Sequence, residues 1–306
     1  MNPDDFLEHF PLIDSLDHEI LMHRDSHFGG QFSIMLDYYR TGQKGIQPEF
    51  DLARIENLDK LEQQLKQNLA PLYLESSEID KIADAREAYR RLKSLYEIKT
   101  IKSPYPRMIA DLILAEEEEP AEEIKMIVRE GDKIVPSLIE LLKSEDFYDS
   151  LFPGYGQAPG LAVICLGLIG DKRALISLFE TLGHGDFFDD EQVLRALKMI
   201  GEPAKQFLLR VVKGHPINED NEKAAIALIQ FKDEPEVAMT CFKYLQEPIV
   251  QKDPCLPTYL VLACEGLKGE AERDQFRALA KSESLPKQLR EDMKVIVKAW
   301  EAEPST

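Results

Sequence analysis

The chain has 306 residues, 44% hydrophobic and 30% charged, the composition of a folded protein with ample length for a sizeable core. Its 56 acidic residues outnumber 37 basic ones for a net charge of −19, which argues against nucleic-acid binding, because phosphate contacts need clustered Lys and Arg. Val and Thr together number 17, and the longest apolar run, LAVICLGLIG, is about half a membrane span, so the sequence predicts an all-α fold without membrane insertion.

The opening MNPDDFLEHF is acidic and has no basic segment ahead of an apolar stretch, which predicts a cytoplasmic protein. His9, His18, His23 and His27 crowd the first 27 residues. In HRDSH, His23 and His27 stand four apart, a spacing that turns both imidazoles to one side of a helix, with Asp25 or His18 as a further metal ligand. Arg24 occupies the place of the glutamate in HExxH, and Gly29 and Gly30 end the helix, so the reading favours ordinary hydrogen bonds, with no metal and no cofactor. HRD also opens a kinase catalytic loop, but Gly30 stands where its asparagine belongs and no Gly-rich loop precedes it.

Two helices follow. FDLARIENLDKLEQQL puts Leu52, Ile55, Leu58, Leu61 and Leu65 on one side, and SEIDKIADAREAYRRLKSLYEI does the same for Ile79, Ile82, Tyr89, Leu92 and Tyr96, with Ser77 and Asp80 as its cap. Pro104 and Pro106 then interrupt the periodicity and set a boundary between an N-terminal helical region, 1–103, and the remainder, 104–306. The run AEEEEPAEE (115–123) reads as a solvated helix end, and its charge would also steer a partner with a basic surface.

From residue 127 a unit recurs. IVREGDKIVPSLIELL, LGLIGDKRALISLF and LKMIGEPAKQFLL share an apolar stripe, a glycine, an acid and a second stripe, and weaker copies surround Lys232 and Lys268. Taking Gly131, Gly170, Gly201, Lys232 and Lys268 as equivalent gives intervals of 39, 31, 31 and 36 residues, periods typical of helical solenoids. The glycine supplies the left-handed position that closes the first helix. Asp132, Asp171 or Glu202 stands at or beside the next N-cap, and Pro203 and Pro235 sit in a first helical turn. If the alignment is right, glycine at Lys232 is neutral or stabilising.

The long interval holds an insertion, SEDFYDSLFPGYG (144–156), carrying Phe147, Tyr148, Phe152 and Tyr155. Phe187 and Phe188 lie in the next inter-repeat loop, and loops one repeat apart emerge along one edge of a solenoid, so these six aromatics form a candidate partner-binding patch. The flanking glycines and acids predict a partly exposed excursion, whereas the competing reading folds the rings inward to seal a gap. GYGQAPG lacks the third glycine of a phosphate loop, having Pro159 there. Cys165, Cys241, Cys255 and Cys264 form no CxxC motif and are expected to be reduced. PKQLREDMKVIVKAWEAE offers a closing amphipathic helix.

The glycine-acid corner and the Leu-rich second stripe resemble the HEAT-repeat family, and within it the short repeats of phycobilisome-lyase-type proteins, over roughly residues 105–285. The resemblance implies a right-handed α-solenoid of helical hairpins, second helices on the concave face, and a scaffold or adaptor that binds another protein. A related class, the deoxyhypusine hydroxylases, holds iron through His-Glu pairs in several repeats; here the single pair, His18-Glu19, lies outside them. A lyase-like or metal-assisted enzyme is the alternative, but no catalytic residue is assigned, since His184 and His215 fall in inter-helix loops.

Overall fold

The computed structural model describes residues 12–41, 49–98, 102–115, 117, 119–183, 190–283 and 285–302. Among them are seventeen α-helices, short 3₁₀ turns and no strand, so the all-α expectation is met. The chain divides into two compact units, 1–162 and 163–306, with the division inside a helix.

The first unit contains α1 (Ser15–His27), α2 (Phe32–Thr41), α3 (Leu52–Leu65), α4 (Ala70–Tyr73), α5 (Ser76–Glu97), α6 (Tyr105–Leu114), α7 (Ala121–Glu130) and α8 (Val135–Leu142). Asp14 caps α1, its carboxylate accepting from the amides of Leu16 and Asp17 at 3.0 Å, and Arg54 reaches from α3 to both Asp14 and Asp17 at 2.9 Å. Behind that entry Ile20, Leu21, Phe32, Met35, Ile55 and Leu58 form a core, as the stripe read on α3 requires. On α5, by contrast, Ile82 and Ala85 are buried while Ile79 and Tyr96 are exposed. A helix of 22 residues is about 33 Å long and outruns its neighbours, so only its middle turns are covered. Its start is two residues earlier than the sequence indicates: the amide of Glu75 donates to Glu78 at 2.7 Å, and Ser77 and Asp80 do not cap.

Helix α9 (Ala158–Ile169) carries the chain into the second unit, which contains α10 (Leu175–Thr181), α11 (Asp190–Ile200), α12 (Glu202–Val211), α13 (Glu219–Ile229), α14 (Pro235–Leu245), α15 (Leu256–Ala263), α16 (Glu270–Leu279) and α17 (Lys287–Ala302). Helices that follow one another pack together: α10 with α11, α11 with α12, α12 with α13, α14 with α15, and α17 against α15 and α16. The corner glycines behave as read. Gly131 (φ 61°, ψ −132°) and Gly201 (φ 75°, ψ −132°) share one backbone conformation, and Gly170 has φ 70°. A side chain is strained in that region of φ, which is why glycine stands at all three corners.

Of the three corner acids only Asp171 caps, accepting from the Arg173 amide at 2.8 Å. Glu202 lies inside the first turn of α12 and pairs with Lys205 at 2.7 Å, and Asp132 sits within a 3₁₀ turn. The degenerate corners work differently. Lys232 has no positive φ and pairs with Glu265 of the next hairpin, so glycine there removes a contact without relieving strain, and the expectation of a neutral change is revised. The close approach has moved to Gly266, where an added Cβ would lie 1.6 Å from the Lys232 carbonyl oxygen. Gly167 does the same one end earlier: its Cβ would stand 2.8 Å from Ala196 Cα. Neighbouring hairpins therefore touch backbone to side-chain-free backbone at two places.

Candidate functional site

Residues 144–157 do not form a solvated excursion. Gly154, Tyr155 and Gly156 have φ of 84°, 52° and 81°, and both glycines press on backbone: a Cβ at Gly156 would meet the Tyr148 oxygen at 2.8 Å, one at Gly154 the Ile113 oxygen at 3.0 Å. The turn drives Phe152 and Tyr155 inward until they are 5% and 4% exposed, which corrects the expectation of exposed anchors at these two positions. Phe152 joins Leu151 and Ala85, and the Tyr155 ring lies 4.1 Å from that of His27. The acids hold the segment instead of solvating it, with Asp149 pairing Lys81 and accepting from the Leu151 amide at 2.9 Å. Phe147 and Tyr148 are half-buried; the Tyr148 hydroxyl donates to the Leu142 carbonyl at 2.7 Å, and burial pushes its pKa up to about 12. Phe187 and Phe188 lie outside the described residues.

His23 and His27 do share one side of α1, their rings stacked at 5.2 Å. Nε2 of His27 donates to the Ser150 carbonyl at 2.9 Å, so Nδ1 accepts from the Tyr89 hydroxyl at 2.8 Å, and the ring is neutral in one tautomer. Burial, then the neighbouring His23, pushes its pKa down to about 3. His23 is 1% exposed, contacts the Ser150 hydroxyl at 3.4 Å, and is pushed by burial down to about 4. Both imidazoles are thus committed to the fold of the insertion. Among the described residues no group of three or more His, Cys, Asp or Glu is placed to hold a metal.

Between them Arg24, the middle of the coincidental HRD, is fully buried. It donates to Asp25 at 2.7 Å, to Glu62 at 2.5 Å and to Asn68 at 2.7 Å, and lies 4.5 Å over the Phe32 ring. Glu62 and Asn68 pass the hold on to the amides of Leu69 and Ala70, so one guanidinium ties α1, α3 and the start of α4 together. Sequence reading missed it, although a signal existed: Arg24 falls four residues after Ile20 and four before Phe28, on the apolar face.

Two clefts open on α5. One, of about 450 Å³, is acidic, with Asp80 and Asp84 facing Glu145, Asp146 and the Lys81–Asp149 pair. The other, of about 290 Å³, lies among α1, α4 and α5. Ala70, Pro71, Ile79, Ile82 and Ala83 give it an apolar lining, and Arg86 and Arg90 a cationic edge. In the second unit Leu168 and Met199, each two residues before its corner glycine, are 46% and 52% exposed, and Ile176 is 60% exposed. Met199 packs against Gly167, its Sδ 3.5 Å from where a Cβ on Gly167 would stand. Periodicity alone assigns such residues to the core.

Cys165, Cys241 and Cys264 are free, buried thiols, the first two pushed up to about 12 by burial and the third upward for the same reason; Cys255 is free and exposed. No helix among the described residues is long and apolar enough to cross a membrane. Compared with known proteins, the chain matches no protein-family model and no curated sequence.

Proposed function

We propose that the chain is a protein-interaction scaffold whose hairpins, from α7 to α16, form a right-handed HEAT-like α-solenoid. The observation that carries the reading is the pair Leu168 and Met199. Equivalent positions two residues before Gly170 and Gly201 both expose large apolar side chains, although the same helices bury Cys165, Leu166, Val193 and Leu197 completely. Leaving such side chains in water forgoes burial free energy that a partner surface would recover, about 1.5–3 kcal/mol for each fully buried side chain. The shared conformation of Gly131 and Gly201 supports the repeat on which the surface is built. The acidic cleft of the first unit supports a partner with a basic surface, because opposite potentials speed encounter and select orientation.

The test is a paired capture experiment. Wild type and a Leu168→Ser, Met199→Ser variant are used to co-purify partners from the native source, with melting recorded for both. The scaffold reading expects an unchanged melting temperature and the loss of a protein that wild type retains. Equal capture by both, with equal stability, removes this surface from the account.

A further inference from the structure

The cleft among α1, α4 and α5 belongs to the first unit, and its chemistry differs from that of the surface just described. Its lining is aliphatic, with Ile79 left 42% exposed at the rim. Arg86 and Arg90 stand four residues apart on α5, so both guanidinium groups project to the same side of the helix. Arg86 is pre-set: its Nε donates to the Asp25 carbonyl oxygen at 2.6 Å, which fixes the plane of the fork. The carboxylate of Asp25, which also lines the cleft, pairs with Arg86 at 3.7 Å but is shared with the buried Arg24, which it meets more closely at 2.6 Å. Arg90 pairs with the half-buried Glu87 at 2.8 Å, and Glu87 is shared with Arg91. In a chain of net charge −19, two guanidinium groups therefore edge an apolar depression, one of them oriented in advance.

We propose that this cleft binds an organic anion that carries one carboxylate on an apolar body, the carboxylate on the Arg86 fork beside Arg90 and the body against Pro71, Ile79 and Ile82. Size limits the occupant. A cleft of about 290 Å³ stands at the small end of ligand pockets, so the occupant is a small molecule or one end of a larger one. That describes a medium-chain acid or the terminal carboxylate and last apolar residue of a peptide. Arginine is suited to this role because its planar fork matches a carboxylate in two parallel hydrogen bonds, which a lysine cannot do.

The experiment is calorimetric titration of the full chain with octanoate, and with octanamide as the uncharged isostere. Octanoate is expected to bind saturably with a Kd of about 1 mM, and octanamide about ten-fold more weakly or worse. Arg86→Gln should weaken octanoate by about ten-fold and leave octanamide unchanged, and Ile79→Ser should weaken both. Since Arg86 also braces Asp25, Arg90→Gln supplies a variant that gives up the solvent-screened pair with Glu87; it should weaken octanoate by about three-fold with an unchanged melting temperature. A tripeptide ending in leucine, free and amidated at its C-terminus, separates the sources. Tighter binding of the free peptide than of octanoate assigns the carboxylate to a chain end, the reverse order to a small acid, and either upholds the site. Equal affinity for octanoate and octanamide overturns the proposal, as does no saturation at about 10 mM or indifference of octanoate to both arginine variants.

Discussion

Tyr155 separates a buried insertion from an exposed one with a single pair of variants. Its ring is 4% exposed against His27, yet its backbone sits at φ 52°, where L-residues other than Asn and Asp are uncommon. Tyr155→Ala removes the ring and keeps the strain; by analogy with other large aromatics it should cost about 3–5 kcal/mol. For a unit of 162 residues each kcal/mol lowers the melting temperature by about 2–4 °C, so the expected loss is about 6–20 °C. Tyr155→Gly leaves the same cavity but relieves the left-handed conformation, worth about 1 kcal/mol, so it should melt about 2–4 °C above the alanine variant. In an ordinary helix or strand glycine is the less stable of the two, which makes the order diagnostic. The assay is thermal melting by far-UV circular dichroism on the full chain. Both variants melting within about 3 °C of wild type, or the glycine variant melting below the alanine variant, would refute the packing described for residues 144–157.

The buried histidines make the first unit acid-sensitive. Above about pH 6.5 both are neutral whether folded or not; below it the unfolded chain takes up protons that the folded chain refuses down to about 4 for His23 and 3 for His27, so stability falls with pH. With two protons withheld the slope reaches about 2.7 kcal/mol per pH unit, and His27→Gln should roughly halve it in urea melts between pH 6.5 and 5, ahead of most carboxylates. Arg24→Met should cost about 3–5 kcal/mol by stranding Glu62 and Asp25, with Glu62→Gln intermediate, both read from urea midpoints. Gly201→Ala, whose new Cβ meets nothing, should lose only the conformational cost of about 1–3 kcal/mol; Gly266→Ala, facing a backbone oxygen, should lose more, and equal losses would contradict the difference between the corners. Lys232→Gly should lower the melting temperature by a few degrees, and stabilisation would restore the simple alignment.

The corners of the hairpins were legible because their causes are local. A glycine after an apolar stripe and before an acid demands positive φ at Gly131, Gly170 and Gly201, whatever the rest of the chain does. At Lys232 the cause is not local: the nearby chain is that of the next hairpin, and the glycine that accommodates it, Gly266, lies 34 residues on, beside the wrong letters for the pattern. The insertion failed to read correctly for a related reason. Gly154 and Gly156 have the same conformational signature whether a loop faces water or backbone, and the partners that decided the matter, His27 and Ala85, come from α1 and α5. Asp149 likewise looks like a solvating acid until Lys81 is beside it. The arginine cleft needed distant residues too, since Arg86 and Arg90 stand on α5 whereas Ala70 and Pro71, which help to line it, come from α4.

Covalent footprinting of the chain with and without a partner that it captures tests the proposed scaffold role most directly. Carbene labelling reports side-chain accessibility, and in the free protein Leu168, Ile176 and Met199 should label strongly, in keeping with their exposure, while Leu166 and Leu197 should not. On addition of the partner, labelling of Leu168 and Met199 should fall together by about ten-fold, as fully desolvated contacts at the centre of an interface require. Full labelling of both in the presence of a bound partner would contradict the account, because the surface that the repeated hairpins expose would then not be the one that binds.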